Sequence, residues 1–279
     1  MKSTDRYIEN FYLRETFDEK LDSLRDKHIK TYRTKTIKSG MLLEAESYPV
    51  WDTGQPGAKK LRAVKGETRE AQEKVNHRNT QKKISRLINA NFNHKDMWIT
   101  VGYRNKEEPQ TMKEAKKDVQ NYLRRLSRYG QKQGYEKLKY LYVIEQSERG
   151  RFHAHIVMNF RDRDKAEELW THGEYPQARR LKPNDYGLEG LARYMGKEVK
   201  GQKSYGYSLG LYKSWEAPNV RISDRKISRR RAEKLSTGRV DPKTFYEALY
   251  PGYIFLDMEV RYSDYVSGCY LYARMKKKE

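Results

Sequence analysis

Two of the chain's six histidines, His153 and His155, stand two residues apart. They fall within RFHAHIVMNF (Arg151–Phe160), a run that reads as a β-strand. In a strand, residues i and i+2 point to the same face, so the two imidazoles stand side by side, as the grasp of a divalent cation requires. Glu145 closes the preceding strand, LKYLYVIE (Leu138–Glu145), and the short QSERG turn makes the two strands antiparallel neighbours. If the register puts all three side chains on one face, two nitrogens and one carboxylate oxygen leave positions open for water or a phosphate oxygen. That is the habit of a catalytic site rather than a closed structural one. Mg²⁺ prefers oxygen ligands and imidazole suits Mn²⁺, so the expected cofactor is one of these two ions. The competing reading of the same residues is a solvated histidine pair beside an ordinary strand-end carboxylate.

A second group lies in LARYMGKEV (Leu191–Val199), where a helix sets Tyr194 and Lys197 at i and i+3 on one face. Phenols ionise near pH 10 and are poor nucleophiles at neutral pH unless a cation, metal or base assists them. Lys197 is placed to lower the cost of a phenolate or to orient a phosphate. Alone, Tyr194 would read as a packed helix aromatic.

These residues need a sheet with helices beside it, and the chain supplies the pattern. MWITVGY, from Met97, reads as a strand. A helix over about Thr111–Tyr129 carries Met112, Ala115, Val119, Tyr122, Leu123 and Leu126 on one face. Further helices are expected at about Asp164–Thr171 and Leu188–Val199, with an extended stretch between them. The order β-α-β-β-α-β-α predicts an α+β domain, an antiparallel sheet with packed helices on a ferredoxin-like plan. Before it lie an amphipathic helix over about Asp5–Lys27, a hairpin turning at Ser39-Gly40, the loop DTGQPG, and a long polar helix from about Gly66 to Asn91. After it come a tyrosine-rich loop beyond Gly201, a basic helix over about Ser223–Leu235, a short helix at Pro242–Leu249 and a closing hairpin. The expected division is an N-terminal extension over 1–92, a core over 93–202, and a basic C-terminal extension over 203–279 packed on that core.

The charge balance names a partner class. Fifty-nine Lys and Arg against 38 Asp and Glu give a net charge of +21. A field of that sign concentrates polyanions, phosphate backbones above all. The 23 tyrosines suit stacking on unpaired bases, although core packing also uses such residues. Arg229, Arg230 and Arg231, in the basic helix, are the candidate DNA contacts; a solvated charged face is the alternative. The single cysteine, Cys269, excludes an intramolecular disulfide and a cysteine-based zinc ribbon. No run approaches the roughly 18 apolar residues of a membrane span, and the N-terminus has no secretory apolar run. A cytoplasmic protein of a bacterial host cell, with no membrane partner, is expected.

Together, YVIEQSERGRFHAHIVMNF and LARYMGKEV resemble the metal-binding and tyrosine motifs of HUH endonucleases, most closely the rolling-circle replication initiators (Rep proteins) of plasmids, phages and related elements. The resemblance is strong over about Met97–Lys200. MWITVGY occupies the place of that family's T-L-T-Y strand, with Gly102 where the second Thr is usual. KSGMLLEAESYPVW, RLINANF and RLKPNDYGLEGLA are also similar to Rep proteins of bacterial mobile elements. The resemblance implies an HUH core of ferredoxin or RRM-like plan, with Glu145, His153 and His155 as metal ligands, Tyr194 as nucleophile and Lys197 as its helper. It further implies site-specific nicking and rejoining of single-stranded DNA at a replication origin through a covalent 5′-phosphotyrosine.

Relaxases usually place the tyrosine before the His motif, whereas here it follows by about forty residues, which favours a Rep protein over a relaxase or a transposase of the same superfamily. A non-catalytic nucleic-acid-binding protein is the reading from a different class; it would need neither His153 nor Tyr194. No G-x-x-x-x-G-K-[ST] stretch occurs, so a helicase and a polymerase are expected from the host. A homo-oligomer is a further expected partner, since only one tyrosine stands in the motif.

Overall fold

The computed structural model describes residues 29–51, 68–173, 176–197, 203–216, 220–262 and 267–278. The helix expected over Asp5–Lys27 and the DTGQPG loop lie outside the described residues. The chain divides into two compact units, Met1–Thr80 with Ser214–Glu279, and Gln81–Lys213.

In the first unit, β1 (Ile29–Ser39) and β2 (Leu42–Trp51) form the expected hairpin. Its two-residue turn needs a left-handed residue, and Gly40 supplies it at φ 61°. A two-stranded hairpin is marginal by itself. Here β1 and β2 join β8 (Val220–Ser223), β9 (Tyr253–Tyr262) and β10 (Cys269–Lys277) in one antiparallel sheet of order β8-β1-β2-β10-β9. Segments read from the sequence as separate N- and C-terminal extensions thus contribute neighbouring strands. The helices α5 (Arg229–Ser236) and α6 (Pro242–Leu249) complete a core in which Tyr32, Leu43, Ala45, Leu271 and Met275 pack with Ala232, Leu235 and Tyr246. The basic helix starts later than Ser223. That residue ends β8, Asp224 is held by Arg33 at 2.7 Å, and the helix is capped by Ser228, whose side chain accepts from Arg231 N–H.

The second unit is built on β3 (Met97–Gly102), β4 (Tyr140–Gln146), β5 (Phe152–Met158), β6 (Gln177–Arg180) and β7 (Lys203–Tyr207), an antiparallel sheet of order β6-β3-β5-β4-β7. Its first four strands take the order of a split βαββαβ unit, as the element order predicted, consistent with an HUH or RRM-like core. The fifth replaces the loop expected beyond Gly201. Lys203, Tyr205 and Tyr207 alternate with Ser204 and Gly206, and the segment pairs with β4 from Glu145↔Lys203 to Leu141↔Tyr207.

Period-two alternation gives this sheet two working faces. Ile99, Val101, Tyr142, Ile144, Ala154 and Ile156 point to one face and pack against Ala115, Val119, Tyr122, Leu123 and Leu126 of α2 (Met112–Lys132). The α2 start is fixed by Thr111, whose hydroxyl accepts from Glu114 N–H, while the Glu114 carboxylate accepts from Gln110 N–H. The short α3 is confined to Arg163–Glu168. On the other face, α1 (Thr68–Asn91) and α4 (Glu189–Gly196) are joined by hydrogen bonds at both ends of α4. Asn89 Oδ1 accepts from Leu188 N–H at 2.8 Å, and Gln81 Nε2 donates to Gly196 O at 3.0 Å. No helix among the described residues is long and apolar enough to cross a membrane.

Candidate functional site

The register decides whether the candidate ligands meet. Glu145 and His153 are directly opposite in the β4–β5 pair, and residues directly opposite share a face. His155, two residues on, shares it too, so the condition left open by the sequence is met. One ligand atom from each of Glu145, His153 and His155 lies within 4.8 Å of the others. The row continues on both sides: Gly102 opposes His153 on β3, and Lys203 opposes Glu145 on β7. In the next row, Thr100 opposes His155.

Two atoms of the cluster are buried with no hydrogen-bond partner among the described residues, Glu145 Oε2 and His155 Nε2. A buried polar atom without a partner is costly and calls for an explanation. A divalent cation supplies one, and these three side chains can bind a metal ion. The other atoms of both groups are engaged. Thr100 Oγ1 lies 3.0 Å from His155 Nδ1. With Nδ1–H donating to that hydroxyl, Nε2 keeps the lone pair that ligation needs. Lys203 Nζ donates to Glu145 Oε1 at 2.8 Å. Glu145 Oε2 lies 3.6 Å from His153 Nε2 and 3.8 Å from Lys197 Nζ.

Electrostatics keeps the cluster in its ligating forms. Burial by itself would raise the Glu145 carboxyl, but His153 and Lys203 outweigh it and bring the group down to about 2. Burial, aided by neighbouring His153, lowers the His155 imidazole to about 4, so it is neutral at physiological pH. Burial also lowers the Lys203 ammonium, and the Glu145 carboxylate opposes that shift.

Tyr194 comes from α4 and sits against the cluster. Its ring lies 4.8 Å from that of His155 and 6.0 Å from Trp98, centroid to centroid, edge-on to both. It is 43% exposed, so the ring is held while part of it stays open to solvent. The helix is shorter than the sequence suggested: it ends at Gly196, with Lys197 as an extended C-cap at ψ 152° and residues 198–202 outside the described residues. Lys197 still reaches Tyr194, its Nζ 4.8 Å from the ring centroid. Tyr194, Lys197, Glu145, His153 and His155 are therefore brought together.

Two cavities flank them. One of about 640 Å³ is lined by Tyr194, Trp98, Leu191, Arg163, Arg179 and Lys182. The other, about 510 Å³, is lined by Gly102, Arg104, Arg151 and His153. At Gly102 an added Cβ would meet nothing within 4 Å, so the missing side chain keeps the space beside His153 open.

The predicted DNA contacts belong to the other unit, on α5. Arg229 is paired with Glu233 at 2.9 Å, and the Arg231 guanidinium lies over the Phe245 ring at 5.5 Å. Arg230 is exposed and makes no ion pair among the described residues.

Sequence reasoning missed Thr100, Trp98 and Lys203. The first two depend on cross-strand register. The third had a signal in the alternation of KSYGY, which marks a strand rather than a loop.

An antiparallel α+β sheet carrying a Glu–His–His cluster against a helical tyrosine defines the class structurally. Residues 96–200 match the family of replication-associated proteins of the ORF2 type. The match supports a protein of the rolling-circle replication initiator type, for which DNA is the plausible partner. No curated protein and no solved structure gives a match.

Proposed function

We propose that this chain initiates rolling-circle replication by nicking and rejoining single-stranded DNA through a covalent link between Tyr194 and a 5′ phosphate. The observation that carries the reading is the position of the Tyr194 ring, 4.8 Å from a His155 imidazole whose inner nitrogen has no partner. Glu145, His153 and His155 hold Mg²⁺ or Mn²⁺, which polarises a non-bridging oxygen of the scissile phosphate when bound. The Tyr194 oxygen attacks phosphorus, its proton passes to solvent or a nearby base, and the bond to the 3′ oxygen breaks. That leaves a 3′-OH able to prime synthesis. The phosphotyrosine keeps the phosphodiester's bond energy, so a later 3′-OH can reverse the step and reseal the strand. Lys197, beside the ring and the carboxylate, favours the phenolate and steadies the phosphate. Arg179 and Lys182 on one side, and Arg104 and Arg151 on the other, offer cations along the strand's path.

The test uses 3′-labelled single-stranded oligonucleotides tiled across the DNA flanking the gene, with Mn²⁺ or Mg²⁺. The label should become covalently attached to the protein, and EDTA or Tyr194→Phe should abolish attachment. Binding by Tyr194→Phe should stay within about threefold of the parent, since only the nucleophilic oxygen is removed. An adduct that survives in Tyr194→Phe refutes the nucleophile. Binding with no adduct under any condition supports the non-catalytic alternative.

A further inference from the structure

Glu145 is bracketed across the sheet by His153 on one side and Lys203 on the other. Its side chain is 1% exposed and that of Lys203 20%, so the pair is largely out of water. The Lys203 ammonium makes a second contact. Nζ donates to the carbonyl oxygen of Lys197 at 2.5 Å while donating to Glu145 Oε1 at 2.8 Å. Lys197 caps the helix that carries Tyr194, and its own N–H reaches back to Tyr194 O. The last carbonyls of a helix have no partners within it and accept readily from cations. One ammonium thus bridges a ligand carboxylate and the end of the tyrosine helix, while Glu145 Oε2 remains without a hydrogen bond.

We propose that Lys203 is a positioning residue that fixes Glu145 for single-oxygen ligation and ties that carboxylate to the C-terminal end of the tyrosine helix. The proposal rests on the reading of Glu145 as a ligand and Tyr194 as nucleophile, and it adds a link between them: ordering of the carboxylate by a cation is transmitted to α4. A plain counter-ion for a buried charge would stabilise the whole unit and carry no such link.

The test uses the full chain and Mn²⁺ alone. Free Mn²⁺ is followed by electron paramagnetic resonance, and backbone hydrogen exchange is read separately in α4, β3 and β5. In the parent, Mn²⁺ should slow exchange across α4 by about tenfold. In Lys203→Met, metal-free exchange in α4 should rise at least about fivefold, while β3 and β5 stay near parental rates. The variant should still bind Mn²⁺, with affinity unchanged or tighter because a competing cation is gone, yet Mn²⁺ should no longer protect α4. Lys203→Arg should restore that protection. Lys203→Gln, neutral but polar, serves in place of Met if that variant does not fold.

Parental behaviour of α4 in Lys203→Met, with and without Mn²⁺, overturns the proposal. So does uniform acceleration of α4, β3 and β5, which would mark a counter-ion only. If the parent binds no more Mn²⁺ than Glu145→Gln, the metal reading fails instead, and the metal-free comparison of α4 still decides whether Lys203 holds the helix.

Discussion

His155 makes the stability of the metal-free protein depend on pH in a window that can be worked out. The imidazole protonates near 6.5 in the unfolded chain and near 4 when folded. Between those values the unfolded chain binds the extra proton, so stability is fully present above pH 6.5 and is lost as pH falls toward 4. Each pH unit within the window costs the folded state about 1.4 kcal/mol, so about 3 kcal/mol is at stake and about 2 kcal/mol is gone by pH 5. Glu145 also carries a lowered value, about 2 against an ordinary 4.5, and its loss begins only below that. The two windows barely overlap. Hydrogen exchange at the β5 amides, in chelator and corrected for the intrinsic rate at each pH, reports the opening free energy of this unit by itself. The parent should lose about 2 kcal/mol between pH 7.5 and 5.0, and His155→Asn should lose distinctly less, since it has no proton to gain. Equal losses in the two proteins would refute the buried, neutral imidazole. Repeating the series with Mn²⁺ should steepen the parent's loss, because proton and cation compete for the same nitrogen.

Other expectations concern the supports of the site. Thr100→Val removes the partner of His155 Nδ1 and should weaken Mn²⁺ binding by roughly 10–100-fold, measured by titration calorimetry, with folding intact. At Gly206 an added Cβ would stand 2.5 Å from the Tyr142 hydroxyl, so Gly206→Ala should destabilise β7 by about 1–3 kcal/mol, read from exchange at 203–207. Arg230→Ala should reduce the salt slope of DNA binding by about one, and Arg229→Ala by less, because Glu233 already neutralises Arg229. Unchanged slopes in both would remove α5 from the DNA surface.

The chemistry of this chain was largely legible from local pattern. A His-x-His pair in a strand forces two imidazoles onto one face, since side chains alternate with period two. A tight turn after Glu145 makes the neighbouring strand antiparallel. The same arithmetic marked the α2 face and the βαββαβ order. Boundaries were less legible where a helix end depends on a cap: Lys197 was read inside its helix, and the structure makes it the residue that ends it.

What local pattern cannot carry is which distant segments become neighbours. Both strand pairings that flank the β4–β5 hairpin are long-range: β3 brings Thr100 opposite His155, and β7 brings Lys203 opposite Glu145. Strands from 29–51 and from 220–277 share one sheet for the same reason, because a strand edge can be satisfied by any chain of matching register. The sequence by itself therefore determined which atoms can ligate, attack and attract phosphate. Only the tertiary structure decided that Glu145 faces His153, that Tyr194 lies against His155, and that a lysine from an unremarked strand holds the carboxylate, since cross-strand register is set by the packing of the whole sheet.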